Sequence, residues 1–327
     1  MSMVECGSWR SRTSIASHAR SSCRTRTSEY FTSAPEGVTI LPRRSRWKSS
    51  IGANARLPYF DVIFERLEHG DLEFCQVFGR HVHWGFWEDP TAADGSVEDF
   101  ARAAERLCRR LLGAAGVHDG QDILDAGCGL GGTLATVNET LGSVRLQGIN
   151  IDERQVDRAR ATVRPRAGNE IGFVHGDACH LPFDDESFDR VLAVECIFNF
   201  PSRARFLREA WRVLRPGGRL TISDFLPADP IPKVMNRSAW KSVQRVSRSY
   251  GLTTRPHTLD EYRSLARETG FEVAVVDDIS EGLAPGFKVV RRLMASAGCD
   301  EFAWSTEMLE AENAAKAMRY TIMALDK

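Results

Sequence analysis

The stretch Gln121-Asp-Ile-Leu-Asp-Ala-Gly-Cys-Gly-Leu-Gly-Gly132 sets a carboxylate, Asp125, just ahead of glycines at 127, 129, 131 and 132. Ile123–Ala126 has the length and apolarity of a buried strand, and Thr133–Leu141 reads as the helix behind the glycine turn. Glycine lets the backbone reverse tightly and approach a ligand, while the start of the next helix presents unpaired N–H groups. A nucleotide-like ligand is implied. Gly127, Gly129 and Gly132 also meet the G-x-G-x-x-G spacing of dinucleotide sites, with an acid about twenty residues on at Asp152, so a nicotinamide-dependent oxidoreductase competes at this point.

Two further groups carry chemistry. Glu195 follows the apolar run Val191–Val194 and precedes Cys-Ile-Phe-Asn-Phe-Pro201. A carboxylate delivered to a strand tip among apolar and aromatic neighbours loses hydration; its pKa rises, and it becomes a usable base or a partner for developing positive charge. A structural acid paired with an arginine or a backbone amide fits the same pattern. The stretch His83-Trp-Gly-Phe-Trp87 offers aromatic faces to a cation, and equally to core packing. His81 shows no partner in the sequence and reads as a packing or surface histidine.

The elements that must position these groups follow from periodicity. Phe60, Ile63, Phe64 and Leu67 share a helical face, and a second helix runs from Ser96 to Gly113, both ahead of the first strand. They imply an N-terminal helical cap beside the sheet over residues 57–120. Strands at 144–151, 172–175, 190–194 and 219–223 alternate with helices at 154–163 and 202–214, followed by a helix at 258–268, a strand at 271–276, a helix at 284–297 and a final strand at 319–325. Alternation of this kind predicts an α/β fold, a doubly wound, mostly parallel Rossmann-like sheet with helices on both faces over 121–327. Ligands bind such sheets at the carboxyl ends of the strands, where Asp125, Asn150, Asp177 and Glu195 fall. The proline-bearing stretch at about 225–257, with Trp240 and Tyr250 in a helix, is expected to be a substrate-cap insertion.

Residues 1–56 hold ten basic residues against three acids and no sustained apolar period, so a disordered Arg/Ser-rich extension is expected, with a transit peptide or a start codon placed too far upstream as alternatives. The remainder then carries a net charge of about −8, which argues against nucleic acid as a partner. Eight cysteines without a C-x-x-C pair argue against a metal centre and a disulfide scaffold, and suit a cytoplasmic protein. No apolar run reaches the roughly 20 residues of a membrane span.

In its ordered motifs the chain resembles the class I S-adenosylmethionine-dependent methyltransferases, in the branch acting on sterols, tocopherols and small natural products. The carriers are Asp125-x-Gly127-x-Gly129-x-Gly131, Gly148-Ile-Asn-Ile-Asp152 with Gln155, Gly176-Asp177-Ala178 with Leu181-Pro-Phe183, Ser187-Phe-Asp189, Glu195, and Arg212-Val-Leu-Arg-Pro-Gly-Gly218. The resemblance implies S-adenosyl-L-methionine as cofactor, with its methionine portion over Asp125, Gly127, Cys128 and Gly129. Asn150, Ile151 and Gln155 fall at the ribose, Asp177 and Ala178 at the adenine, and Trp84 and Glu195 beside the cofactor. Asn150 is an amide where the family usually has an acid. Glu195 and Asn199 match a Glu-x-x-x-His-x-Pro segment with the histidine replaced, and His83 opens a His-x-Gly-Tyr-Trp-like segment with Phe86 for tyrosine. Glu195, Asn199 and His83 are therefore the expected catalytic residues. The implied partner is a small, largely apolar acceptor such as a polyketide, terpenoid or sterol-like metabolite. Transfer to carbon is slightly favoured because Glu195 is able to take a proton or face a carbocation; oxygen or nitrogen of a small aromatic metabolite is the alternative. The sequence carries no sign of the oligomeric state.

Overall fold

A computed structural model describes residues 58–228, 245–246, 249–251 and 255–327 of the chain. The expected extension over 1–56, and Trp240 with most of the expected insertion, lie outside the described residues.

Seven strands form one sheet: β1 (Asp122–Ala126), β2 (Arg145–Asn150), β3 (Glu170–His175), β4 (Phe188–Val194), β5 (Leu214–Pro227), β6 (Glu272–Asp278) and β7 (Met318–Asp326). Their order is β3-β2-β1-β4-β5-β7-β6. Parallel pairing runs from β3 to β5, whereas β7 enters antiparallel between β5 and β6. The doubly wound, mostly parallel sheet expected from the alternation is present. The order reverses between β1 and β4, so a crevice opens over the tips of β1, β2 and β4.

The helices are α1 (Pro58–Glu68), α2 (Leu72–Phe78), α3 (Val97–Ala115), α4 (Gly132–Thr140), α5 (Glu153–Thr162), α6 (Arg203–Val213), α7 (Leu259–Thr269), α8 (Ala284–Ser296) and α9 (Asp300–Ala314). Their starts carry the caps their sequences allow. Ser96 accepts from Asp99 N at 3.1 Å, Asp152 accepts from Arg154 N at 3.0 Å, and Thr258 with Glu261 closes a reciprocal capping box on α7. None of the described helices is long and apolar enough to cross a membrane.

Within the cap expected over 57–120, α3 packs directly on β5 and β7. Its face of Phe100, Ala103, Ala104, Leu107, Leu111 and Leu112 is buried in the same core as Ile123 and Leu192. Only α1 and α2 remain to reach over the strand tips. A second apolar core, built from α6, α7 and Leu124, Val191 and Ile222, covers the opposite face.

Candidate functional site

The turn after β1 is shaped by close approach. Gly127 sits at φ +84°, and a Cβ there would lie 2.6 Å from the Cβ of Cys196. Gly132, which opens α4, would drive a Cβ to within 2.2 Å of the Arg80 carbonyl oxygen. Only glycine allows the β1 turn, the β4 tip and the segment around Arg80 to converge.

Around this turn lies a cavity of about 1140 Å³, its mouth included. Asp125, Gly127, Cys128, Gly129, Asn150, Ile151, Gln155, Asp177, Ala178, Glu195, Asn199 and His83 all line it, so the structure brings together twelve of the residues singled out in the sequence. Trp84 is the exception: its ring lines a second cavity and packs against Phe225 and Phe287.

The polar equipment of the first cavity is specific. Asp125 is 1% exposed and its Oδ1 has no hydrogen-bond partner. Burial pushes its carboxyl up from 3.8 to about 7, with no cation beside it among the described residues. Asn150 donates from Nδ2 to Gln155 Oε1 at 3.1 Å and accepts at Oδ1 from Asp152 N at 2.9 Å. Asp152 itself caps α5, pairs with Arg154 and does not line the cavity. The acid required by the nicotinamide reading is therefore committed elsewhere. Asp177 accepts from Cys179 N at 2.8 Å and faces His180 Nδ1 at 3.1 Å; it caps the turn and lines the cavity at once.

Glu195 stands where the two cavities meet. It is held at φ +46°, an uncommon conformation for a residue with a side chain, and its N–H donates to Ser223 Oγ at 3.1 Å. Its Oε1 accepts from Trp84 N at 3.0 Å and from the Tyr320 hydroxyl at 2.6 Å. Burial pushes the Glu195 carboxyl up to about 8, against the two donors, which pull it down. The acid thus fastens the 83–87 segment to the sheet and still faces both cavities.

His83 is buried, and its Nδ1 lies 2.8 Å from the Trp84 carbonyl oxygen. An oxygen acceptor there requires a proton on Nδ1, which leaves Nε2 as a bare lone pair with no partner. Burial, then the neighbouring His81, hold the ring's pKa down to about 3, so the imidazole is neutral.

Asn199, expected to be catalytic, lines the first cavity and is tied to the turn at 250–251. With its amide turned to satisfy both ends, Nδ2 donates to the carbonyls of Gly251 at 2.8 Å and Tyr250 at 3.2 Å. His81, read as a packing or surface histidine, is buried: its Nε2 lies 3.0 Å from Glu105 Oε2 on α3, and the residue lines the first cavity. Trp87 donates from Nε1 to Asp99 at 2.7 Å, which makes it a packing residue. Arg80, Thr133 and Tyr59 also line the first cavity, and Tyr320 holds Glu195. The sequence offered no signal for Arg80, Tyr59 and Tyr320, whose partners are remote along the chain.

The second cavity, about 1110 Å³ with its mouth, is walled mainly by apolar side chains, among them Ile63, Phe78, Trp84, Phe225, Val290, Met294, Phe302 and Leu309. Tyr59, Val82, His83 and Glu195 line both cavities. Its polar pair, Arg203 and Asp224, is closed on itself at 3.0 Å, with the Tyr262 hydroxyl bonded to both.

A family model described as a methyltransferase domain matches residues 124–222. The chain is 35% identical over 213 residues to the 27-O-demethylrifamycin SV methyltransferase of Amycolatopsis mediterranei, covering 65% of this chain and 74% of that one. It is 33% identical over 210 residues to methyltransferase GfsG of Streptomyces halstedii, covering 64% and 72%. Among solved structures it superposes on the geranyl diphosphate C-methyltransferase of Streptomyces coelicolor with a TM-score of 0.65 at 17% identity, covering 84% of this chain and 99% of that chain.

Proposed function

The chain belongs to the class I S-adenosylmethionine-dependent methyltransferases, and from that premise we propose that it methylates a hydroxyl oxygen of a small, largely apolar natural product held in the second cavity. The observation that carries this reading is the shared wall: His83 and Glu195 face the polar, glycine-lined cavity on one side and the apolar one on the other.

S-adenosylmethionine, when bound, supplies an electrophilic methyl group on a cationic sulfur. The first cavity fits it. The unpartnered Asp125 carboxylate answers its ammonium, the glycines leave room for close approach, Asn150 and Gln155 offer amides to the ribose hydroxyls, and Asp177 offers an acceptor to the adenine amino group.

In the second cavity the apolar walls exclude water and hold the acceptor against the shared wall, where orientation supplies much of the rate. His83, which lines both cavities, stands beside the acceptor hydroxyl as a neutral imidazole. An imidazole with so low a pKa is a poor final home for the proton; the Glu195 carboxylate, pushed up to about 8, is the stronger base and takes it. The name of the Amycolatopsis relative places its own methyl group on a rifamycin oxygen, which supports this reading. Transfer to carbon, the preference drawn from the sequence, is the second reading; Trp84, Phe225 and Tyr250 in the second cavity, whose faces would steady a cation, favour it.

Incubating the enzyme and carbon-13 methyl-labelled cofactor with a panel of lipophilic hydroxylated metabolites tests the proposal. A labelled methoxy signal in the product is expected. A labelled C-methyl signal would transfer the assignment to carbon, and cofactor binding with no labelled product from any lipophilic acceptor would refute both readings.

A further inference from the structure

The second cavity holds a charge that the methyl-transfer chemistry leaves unused. Glu312, near the end of α9, lines this cavity beside Leu309, Met294 and Met318. Among the described residues its carboxyl has no hydrogen-bond donor and no cation beside it. Burial alone raises its pKa. Met318 lies two positions before Tyr320 on β7, on the same face and about 7 Å along the strand, and Tyr320 is the residue whose hydroxyl binds Glu195. Glu312 thus shares the lining of this cavity with Glu195 and His83.

The balance of charge around it points one way. Arg203, the cation among the described lining residues, is closed in an ion pair with Asp224, so it is not available to an anionic ligand. Glu195 is satisfied by two donors. That leaves Glu312, partly buried on an apolar wall, as a carboxyl without a cation among the described residues, and an incoming ammonium would offset its partial desolvation.

From this placement, and resting on the reading of the second cavity as the acceptor site, we propose that the acceptor is a lipophilic amine whose cationic nitrogen is held by Glu312 while its apolar body fills the cavity toward His83 and Glu195. Anionic acceptors are excluded by the same carboxylate.

The test uses three probes of equal chain length, decylamine, 1-decanol and decanoate, titrated calorimetrically into the full chain at neutral pH without cofactor. Decylamine should bind about tenfold or more tighter than decanol, the scale of a hydrogen bond to a charged group, and decanoate weakest of the three. Glu312→Gln should bring decylamine and decanol within about threefold of each other, whereas Glu195→Gln should keep the preference. Far-ultraviolet circular dichroism spectra and melting curves like the parent's show that both variants are folded. Equal affinities in the unmodified protein, a preference that survives Glu312→Gln, or one lost only in Glu195→Gln would overturn the proposal. Because the readout is binding of the probe alone, a failure of methyl transfer to any hydroxyl leaves this result distinct.

Discussion

Replacing Asp125 by asparagine should make the free protein more stable at pH 8 and at the same time ruin its cofactor affinity. The carboxyl is 1% exposed, has an unpartnered oxygen, and is pushed by burial from 3.8 to about 7. The native state thus binds its proton more tightly than the unfolded chain does. Stability from this group is fully present below pH 3.8, is lost as the pH rises to about 7, and stays lost above it. At about 1.4 kcal/mol per pH unit, the loss amounts to about 4 kcal/mol, a large fraction of the 5–15 kcal/mol that ordinarily separates folded from unfolded domains. Asparagine removes the charge but adds an amide with no partner, at about 1–3 kcal/mol. A net gain of about 2 kcal/mol at pH 8 remains, or about 4–8 °C in Tm. Melting curves of both proteins at pH 5 and pH 8 without cofactor, followed by calorimetry with S-adenosylmethionine at pH 8, measure each half. The two proteins should meet near pH 5, where the parent has lost only about 2 kcal/mol, and the variant should bind the cofactor about 10²-fold more weakly, as expected on removing a charged partner. A variant less stable than the parent at pH 8, or one that binds the cofactor undiminished, would refute the argument that Asp125 is a buried charge kept for the ligand.

Three other perturbations have definite outcomes. Glu195→Gln keeps an oxygen acceptor for Trp84 N and the Tyr320 hydroxyl, so Tm should hardly move while turnover falls by about 10²-fold; in the parent enzyme turnover should rise with pH through about 8 as this carboxyl ionises, and stopped assays from pH 6 to 9 would expose a flat profile. Gly127→Ala forces a methyl group against Cys196 at a φ of +84°, and calorimetry should show lost cofactor binding together with a lower Tm; normal affinity would mean that the turn is not constrained as described. Arg203→Met leaves Asp224 as an uncompensated buried charge, which should cost about 3–5 kcal/mol in denaturant unfolding; a change below about 1 kcal/mol would show that the ion pair adds little at this position.

Local chemistry was legible in the sequence because it is local. Glycine at 127 and 132 and the capping residues Ser96, Asp152 and Thr258 act through backbone geometry within a few positions, and alternation of apolar runs sufficed to place Asp125, Asn150, Asp177 and Glu195 at strand tips on one edge of a parallel sheet. Two helices escaped for physical reasons: α2 is only seven residues long, and α9 spreads its apolar residues around its circumference, so periodicity was silent. What only the tertiary structure decided is how remote segments share one wall. Tyr320 enters on the antiparallel β7, 125 positions beyond Glu195, and no local pattern announces such a pairing. The 83–87 segment is pinned to that same carboxylate, with Trp84 lining the second cavity and His83 Nε2 buried without a partner. His81 found its partner on α3, and Asn199 was taken up by the turn at 250–251. Residue types and spacing determined which groups reach the ligand edge; long-range packing determined which of them keep an unpaired atom to use there, since that depends on every neighbour the fold brings in.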